Sequence, residues 1–296
     1  MDINFEHYKV FYNVAKLGSF SAAAKKLFIS QSAVSQSIKI LEQQTGSVLF
    51  ARGPRTVKLT AVGEMLFSHI EQAYNLIRSA EGKIQEMQSF GLGEVKIGVG
   101  DTILRFLLIP FLQEFIKRYP KIKIQIINRT SSGIIESLKS GAVDLGIVTL
   151  PVEDKEIETI EFRTVEDVFV ASGRFADLKN RNILTQELSQ LPLLLLQKES
   201  LTRRNLDAFF ASKGLNIVPE IELESMELLI ELAKIGLGVA YVLRESAAAL
   251  VSEGELFVLQ TEDRVPVRKL GIAKLKNVPL SPAADLFISE LGNVQI

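Results

Sequence analysis

Residues 61–88 read AVGEMLFSHIEQAYNLIRSAEGKIQEMQ. Leu66, Ile70, Ala73, Ile77, Ala80, Ile84 and Met87 recur at alternating steps of four and three, the seam spacing of a two-helix coiled coil. Two alanines and Gly82 make the seam lean, so it would close with help from neighbouring surfaces. The plainer alternative is a long helix packed on its own domain. Position favours pairing: the helix joins two segments of different character, and a second copy held along it would set the geometry of the whole assembly.

The character of those segments differs first in charge. The chain has 296 residues, 47% hydrophobic and 23% charged, with a formal net charge of −1. These values describe a globular chain of two or three domains. Residues 1–60 hold eight Lys or Arg against three acids, a local charge of +5, which leaves −6 for the remainder. A basic head on an acidic body fits a polyanion at one end only. The absence of cysteine removes disulfide scaffolds, thiolate chemistry and cysteine-ligated metal. No targeting segment and no membrane-length apolar run is visible, which leads us to expect a cytoplasmic protein.

In the head, Phe5, Tyr8, Phe11, Tyr12 and Ala15 form one face of a first helix that stops at Gly18. Ser19 or Ser21 begins a short second helix whose run of alanines, 22–24, permits close helix approach, and Ser30 caps a third over 31–44. Val34, Ile38 and Leu41 of the third face inward; Ser32, Ser35, Gln36, Lys39 and Gln43 fall on the opposite side. Such a stripe, with the free N–H groups of the first turn at Gln31, can address base edges and phosphates, although any solvated helix face can have the same composition. A short helix, a turn and a polar-faced second helix make a helix-turn-helix. VLFARGPRTVKL then reads as two short strands about Gly53-Pro54, a small wing carrying Arg52, Arg55 and Lys58, and Thr60 caps the long helix.

After Gly91 and Gly93 the pattern turns to α/β units. Strands alternate at Val95–Val99 and at Ile122, Ile124 and Ile126, and a further strand is expected at Asp144–Val148; helices follow near 107–115 and 134–138. This predicts a largely parallel sheet. A second unit is expected from about Phe162, with strands around 167–171, 193–196, 220–223 and 238–243 and helices near 202–211 and 226–234. Residues 269–275 are expected to return to the first sheet, with 283–291 as closing helix. A chain that crosses to a second lobe and back forms a crevice for a small ligand. Its candidate wall is Thr102, the cluster Thr130, Ser131 and Ser132, and the cluster Ser200, Thr202 and Arg203, each following a strand at a helix start. Hydroxyls and N–H groups there favour an anionic group, although Ser and Thr are also ordinary helix caps.

The run FYNVAKLGSFSAAAKKLFISQSAVSQSIKILEQQTGSVLFARGPRTVKLTAVGE resembles the winged helix-turn-helix signature of the LysR-type transcriptional regulators, through its AA, SQSAVSQSI, LE, LF.R and LT..G elements. NRTSSGIIESLKSGAVDLGIV, the S.TR element at Ser200–Arg203 and ELAKIGLGVAYV resemble, more loosely, the same family's effector domain. The resemblance implies an α/β chain with a winged helix-turn-helix over 1–60, a dimerisation linker helix over 61–90 and a two-lobed, periplasmic-binding-protein-like (type 2) effector domain over 91–296. The lobes would cover about 91–161 with 268–296, and about 162–267. It implies DNA contact from Gln31, Ser32, Ser35 and Gln36, with Arg52 and Arg55 near the wing. Implied partners are an operator duplex, a small-molecule effector, further copies of the chain as dimer or tetramer and, for an activator, RNA polymerase. No cofactor, metal or membrane is implied.

Ser32 stands where the family often has proline, and Gln36 where it often has arginine, which shifts the readable base edge towards adenine. Glu199 stands where glycine is common and places a carboxylate at the rim. No nucleotide-loop, HExxH or GxSxG motif is present, and His7 and His69 have no evident acid-base partner, so no enzyme is expected. Two other functions fit less of the pattern: a small-molecule-binding protein using its head for protein partners, and a constitutive architectural DNA-binding protein.

Overall fold

The computed structural model describes residues 3–51, 57–88 and 93–293. The chain divides into two compact units: 1–90 with 139–142, and 91–138 with 143–296.

In the first unit, α1 (Phe5–Leu17), α2 (Phe20–Leu27) and α3 (Gln31–Thr45) are each opened by a side-chain cap. Asn4, Ser19 and Ser30 accept from the backbone N–H of Glu6, Ala22 and Ala33 at 2.9, 3.2 and 3.1 Å. Each helix ends in a left-handed residue: Gly18, Phe28 and Gly46. Val10, Phe11, Val14, Ala23, Val34, Ile38 and Leu41 close on Leu49 and Phe50 to make the core. The wholly buried Ala23 leaves room for the neighbouring helices. Glu42 of α3 accepts from Leu49 N–H at 2.7 Å, tying that helix to β1 (Phe50–Ala51). That strand pairs antiparallel with β2 (Lys58–Leu59), so the described part of the expected wing is its base. Arg52, Arg55 and the Gly53-Pro54 turn lie outside the described residues.

The helix α4 spans Ala61–Gln88. Thr60 opens it, accepting from Gly63 N–H at 3.0 Å while donating to Val48 O at 2.7 Å. Gly63 is required here, because a Cβ would stand 2.2 Å from Leu49 O. The first turns belong to the head: Leu66 and Phe67 pack on its core, Phe67 stacks on Tyr12 at 5.8 Å, and Tyr74 meets the same ring at 4.6 Å. Farther along, Ile77 and Ile84 of the predicted seam are 43% and 56% exposed.

The second unit begins with β3 (Gly93–Val99). The following helix has three parts: α5 (Asp101–Ile103), a π-helical turn at Leu104–Leu108 and α6 (Ile109–Arg118). Then come β4 (Ile122–Asn128), α7 (Ser131–Lys139), β5 (Leu145–Thr149) and β6 (Ile157–Val165). The chain crosses to the second lobe through Glu166 and forms β7 (Asp167–Ala171), a 3₁₀ turn at Gly173–Leu178, β8 (Asn182–Ile183), α8 (Thr185–Leu188), β9 (Leu193–Leu196) and α9 (Leu201–Ser212). After β10 (Ile221–Leu223), α10 (Met226–Lys234), β11 (Val239–Leu243), α11 (Arg244–Ser252), β12 (Phe257–Val258) and β13 (Gln260–Thr261), it returns as β14 (Arg268–Leu275) and closes with α12 (Pro282–Asn293).

The first sheet runs β4-β3-β5-β14-β6 and the second β10-β9-β11-β7-β12. Strand β3 is parallel to β4 and β5, and β9 to β10 and β11. The returning β14 is antiparallel to β5 and β6, and β7 to β11 and β12, so both sheets are mixed where the spacing predicts largely parallel ones. A strand that arrives from the other lobe is free of the right-handed crossover that enforces parallel pairing.

Phe287 of α12 meets Phe111 and Phe115 edge-on, each at 5.1 Å, against Val95, Ile97 and Ile147 of the first lobe. The π turn sends Leu107 into the core of the second lobe beside Val168, Met226 and Leu229, with Ile103 and Phe106 against it. Arg105 on the same turn pairs with Glu227 of α10. The two lobes are thus fastened by packing as well as by their two chain crossings.

Candidate functional site

Two surfaces carry the chemistry. On α3, Val34, Ile38 and Leu41 are buried, which turns Gln31, Ser32, Ser35, Gln36 and Lys39 outward together; all five are exposed. The first turn is stiffened by Ser30, whose hydroxyl caps it and lies 2.8 Å from that of Ser32. Behind it, His7 Nδ1 meets Ser37 Oγ at 2.7 Å, fixing α1 against α3. This face offers neutral donors and acceptors in the first turns of the helix and one cation, Lys39, near its middle.

The second surface is a cleft of about 920 Å³ between the lobes. It brings together Thr102, Thr130, Ser131, Ser132, Ser200 and Thr202, residues that three separate segments supply. Their convergence follows from the topology: α7 and α9 both start where a strand ends, and both starts open on the same space. Thr130 accepts from Gly133 N–H at 3.3 Å, and its hydroxyl lies 3.1 Å from that of Ser132, so it serves as cap and wall at once. Thr202 is mostly buried, whereas Thr130 and Ser132 are exposed to the cleft.

Arg203 is placed elsewhere. It is 1% exposed and does not line the cleft: Nε donates to Asp207 at 2.8 Å, and Nη1 donates to Leu196 O at 3.0 Å and to Glu222. Burial alone would lower its pKa, but the two carboxylates outweigh burial and raise it. Its neighbour Arg204, about 100° round the helix, lines the cleft instead. The S.TR pattern pointed to the wrong turn of the guanidinium pair; Asp207, four residues on, is the signal that Arg203 is engaged along its own helix.

Sequence spacing also passed over Arg129, Glu224, Thr149 and Arg268, which share the lining with Asp101 and Glu199. Arg268 reaches the wall from the start of β14, more than a hundred residues from the strands it meets. Its Nη2 donates to Asp167 Oδ1 at 2.7 Å, Nε donates to Oδ2, and Nη1 donates to Thr149 Oγ1 at 3.2 Å. Burial would lower its pKa too, and Asp167 holds it up. The cleft therefore combines hydroxyls, helix-start N–H groups, two exposed arginines and a rim of carboxylates. Among the described residues no group of three or more His, Asp or Glu is placed to hold a metal.

A winged-helix head with a polar recognition face, joined by a long helix to a two-lobed body with a cleft, defines a ligand-responsive DNA-binding protein. The family models agree at both ends: "Bacterial regulatory helix-turn-helix protein, lysR family" matches residues 5–64, and "LysR substrate binding domain" matches 91–295. A regulator of Shigella flexneri, "Uncharacterized HTH-type transcriptional regulator YfeR", is 32% identical over 290 residues, covering 96% of this chain and 92% of that protein. Full-length OxyR from Pseudomonas aeruginosa superposes with a TM-score of 0.76 at 20% identity, over 100% of this chain and 96% of that one. CbnR in complex with its target DNA gives 0.69 at 18%, over 97% and 98%. The chain belongs to the LysR family of transcriptional regulators. It is a DNA-binding regulator with an effector-binding domain, of a class that works as oligomers.

Proposed function

We propose that the chain reads an operator through α3 and changes its grip on that operator when a small, polar, anion-bearing molecule enters the cleft. In the head, Gln31, Ser32, Ser35 and Gln36 contact base edges and phosphates, and Lys39, Arg52 and Arg55 supply charge to the backbone. Residues 1–60 form the reading unit, 61–90 the linker along which two chains pair, and 91–296 the sensing unit. The target-DNA complex of CbnR, alike in fold, supports a duplex as the partner of the head.

The observation that carries the sensing role is the meeting of Thr102, Thr130, Ser131, Ser132, Ser200 and Thr202 in one cleft. Hydroxyls and helix-start N–H groups bind a carboxylate or phosphate without a full positive charge, and Arg129 and Arg204 add attraction from the wall. Asp101, Glu199 and Glu224 on the same lining disfavour a ligand that is anionic throughout and select one whose charge sits at one end.

No reaction is assigned to the cleft. His7 is bonded to Ser37 in the head and His69 to Met65 O within α4, so neither histidine lines it. We place the protein in the cytoplasm, where its operator is, and no helix among the described residues is long and apolar enough to cross a membrane. In an activator, RNA polymerase would be a further partner.

Selection of bound genomic fragments with the purified full chain gives the operator, and footprinting then compares the protein with and without metabolites drawn from the adjacent genes. A footprint or bend that shifts with one of them supports the reading. Identical footprints, bends and assembly states with every saturating candidate would remove the sensing role and leave a constitutive DNA-binding protein.

A further inference from the structure

Three helices of the head end in the left-handed region, and two of them use glycine for it. The third, α2, uses Phe28, at φ 56°. Its backbone makes an ordinary helix stop: Phe28 N–H donates to Lys25 O at 3.3 Å and Ile29 N–H to Ala24 O at 3.1 Å. Nothing in that stop calls for a side chain, and a bulky L residue is disfavoured in this region, where glycine is free. The ring gives the fold nothing in return, because Phe28 is 95% exposed. Local conformation and solvation both favour glycine here, so a gain outside the folded chain must hold phenylalanine in place.

Its position says what that gain is. Phe28 lies two residues before Ser30, the cap of α3, and three before Gln31, the first residue of the exposed reading stripe. Lys25 and Lys26, on the last turn of α2, are exposed beside it, and Lys39 lies along the same stripe. An apolar ring bordered by cations and continuous with a row of amide and hydroxyl groups matches a duplex groove, where charged phosphates flank base edges. The apolar group a major groove offers is the thymine 5-methyl.

We propose that Phe28 is a specificity-determining residue that packs its ring on a thymine methyl at the edge of the site read by α3. This rests on the DNA-reading role of α3 given above. The helix stop then has a second use: the left-handed turn lifts the ring clear of α2 and displays it ahead of the recognition helix.

The test uses the full chain and an operator duplex recovered by fragment selection, with each thymine replaced in turn by deoxyuridine, which lacks only the methyl. For the natural protein, one or two replacements should weaken binding by about fourfold each, the worth of one buried methyl group. Phe28→Gly should fold at least as stably, since glycine suits the stop. It should bind the unmodified operator more weakly, keep the salt dependence that phosphate contacts give, and be indifferent to the same replacements. The variant arm is needed because Ala33, also exposed on α3, could meet a methyl itself. If the natural protein prefers its operator but is indifferent to every replacement, or if Phe28→Gly responds as the natural protein does, the inference is overturned while operator reading stands. A natural protein with no preference for any duplex overturns the reading role of α3 and this inference with it.

Discussion

Arg268 and Asp167 join the two chain crossings between the lobes by a buried, two-pronged ion pair. Arg268 opens the strand that returns to the first lobe, Asp167 opens the first strand of the second, and their side chains are 4% and 1% exposed. Thr149 Oγ1 accepts from the third guanidinium nitrogen, Nη1, at 3.2 Å, so the pair also fixes part of the cleft wall. The lobes' relative position is therefore set at the cleft wall as well as by the interlobe packing.

Removing one partner leaves the other charge buried and alone. Arg268→Met is expected to cost about 3–5 kcal/mol of stability, and Arg268→Met combined with Asp167→Leu to recover most of it. Urea unfolding of the full chain measures both. A single variant within about 1 kcal/mol of the natural protein would show that Asp167 finds water or another donor.

Neighbouring arginines on α9 should behave oppositely. Arg203→Ala strands Leu196 O and the carboxylates of Asp207 and Glu222, and should lower stability by about 2–4 kcal/mol. Arg204→Ala, on the exposed lining, should stay within about 0.5 kcal/mol. Thermal unfolding of the two variants side by side checks this. Equal losses would mean that Arg204 has a structural role.

Which parts were legible in sequence has a physical basis. The start of α4 follows from Thr60 and its course from the apolar spacing, and α3 from Ser30 and an unbroken inward row. Strand β6, IETIEFRTV, escaped because it is an edge strand with much of its length exposed, and its register with β14 shifts between Leu270 and Gly271, which breaks strict alternation. The π turn has no marker residue, yet it decides that Leu107 faces the second lobe. The hydroxyl clusters were found because they sit at strand-to-helix joints. Arg268 was not, because its partners come together only after the chain has crossed between lobes twice.

The exposed part of α4 predicts self-association. Ile77 and Ile84 are uncovered in the single chain, so Ile77→Asp should leave helix content unchanged while weakening the pairing of two chains. Losing the burial of one isoleucine from each copy is on the order of 3 kcal/mol. Sedimentation across a concentration series reads it directly, and an unchanged dimer would move the pairing surface off this seam.

At the first lobe crossing, Arg244 donates to Glu166 at 2.6 Å and lowers the pKa of that carboxylate. A lowered folded-state pKa gives stability that is present above the ordinary carboxylate range and is lost as pH falls through the lowered value. Glu166→Gln should therefore be less stable than the natural protein at neutral pH, and the gap should close in acid. Thermal midpoints of the two proteins from neutral to acidic pH measure it. A gap that widens in acid would reverse the assignment.

The face of α3 carries two kinds of side chain, and the contacts proposed for them can be separated by salt. Gln36 presents an amide able to pair with a base edge, whereas Lys39, farther along the same face, presents a charge suited to phosphate. Gln36→Ala is expected to cut discrimination between matched and mismatched operators by about 1–3 kcal/mol while leaving the salt dependence unchanged. Lys39→Ala should weaken all duplexes alike and lower the slope of log affinity against log salt by about one. Mobility shifts on matched and mismatched duplexes over a salt series give both numbers at once. Parallel losses on both duplexes for Gln36→Ala would place that side chain on the backbone, and specificity would then rest on its neighbours along the stripe.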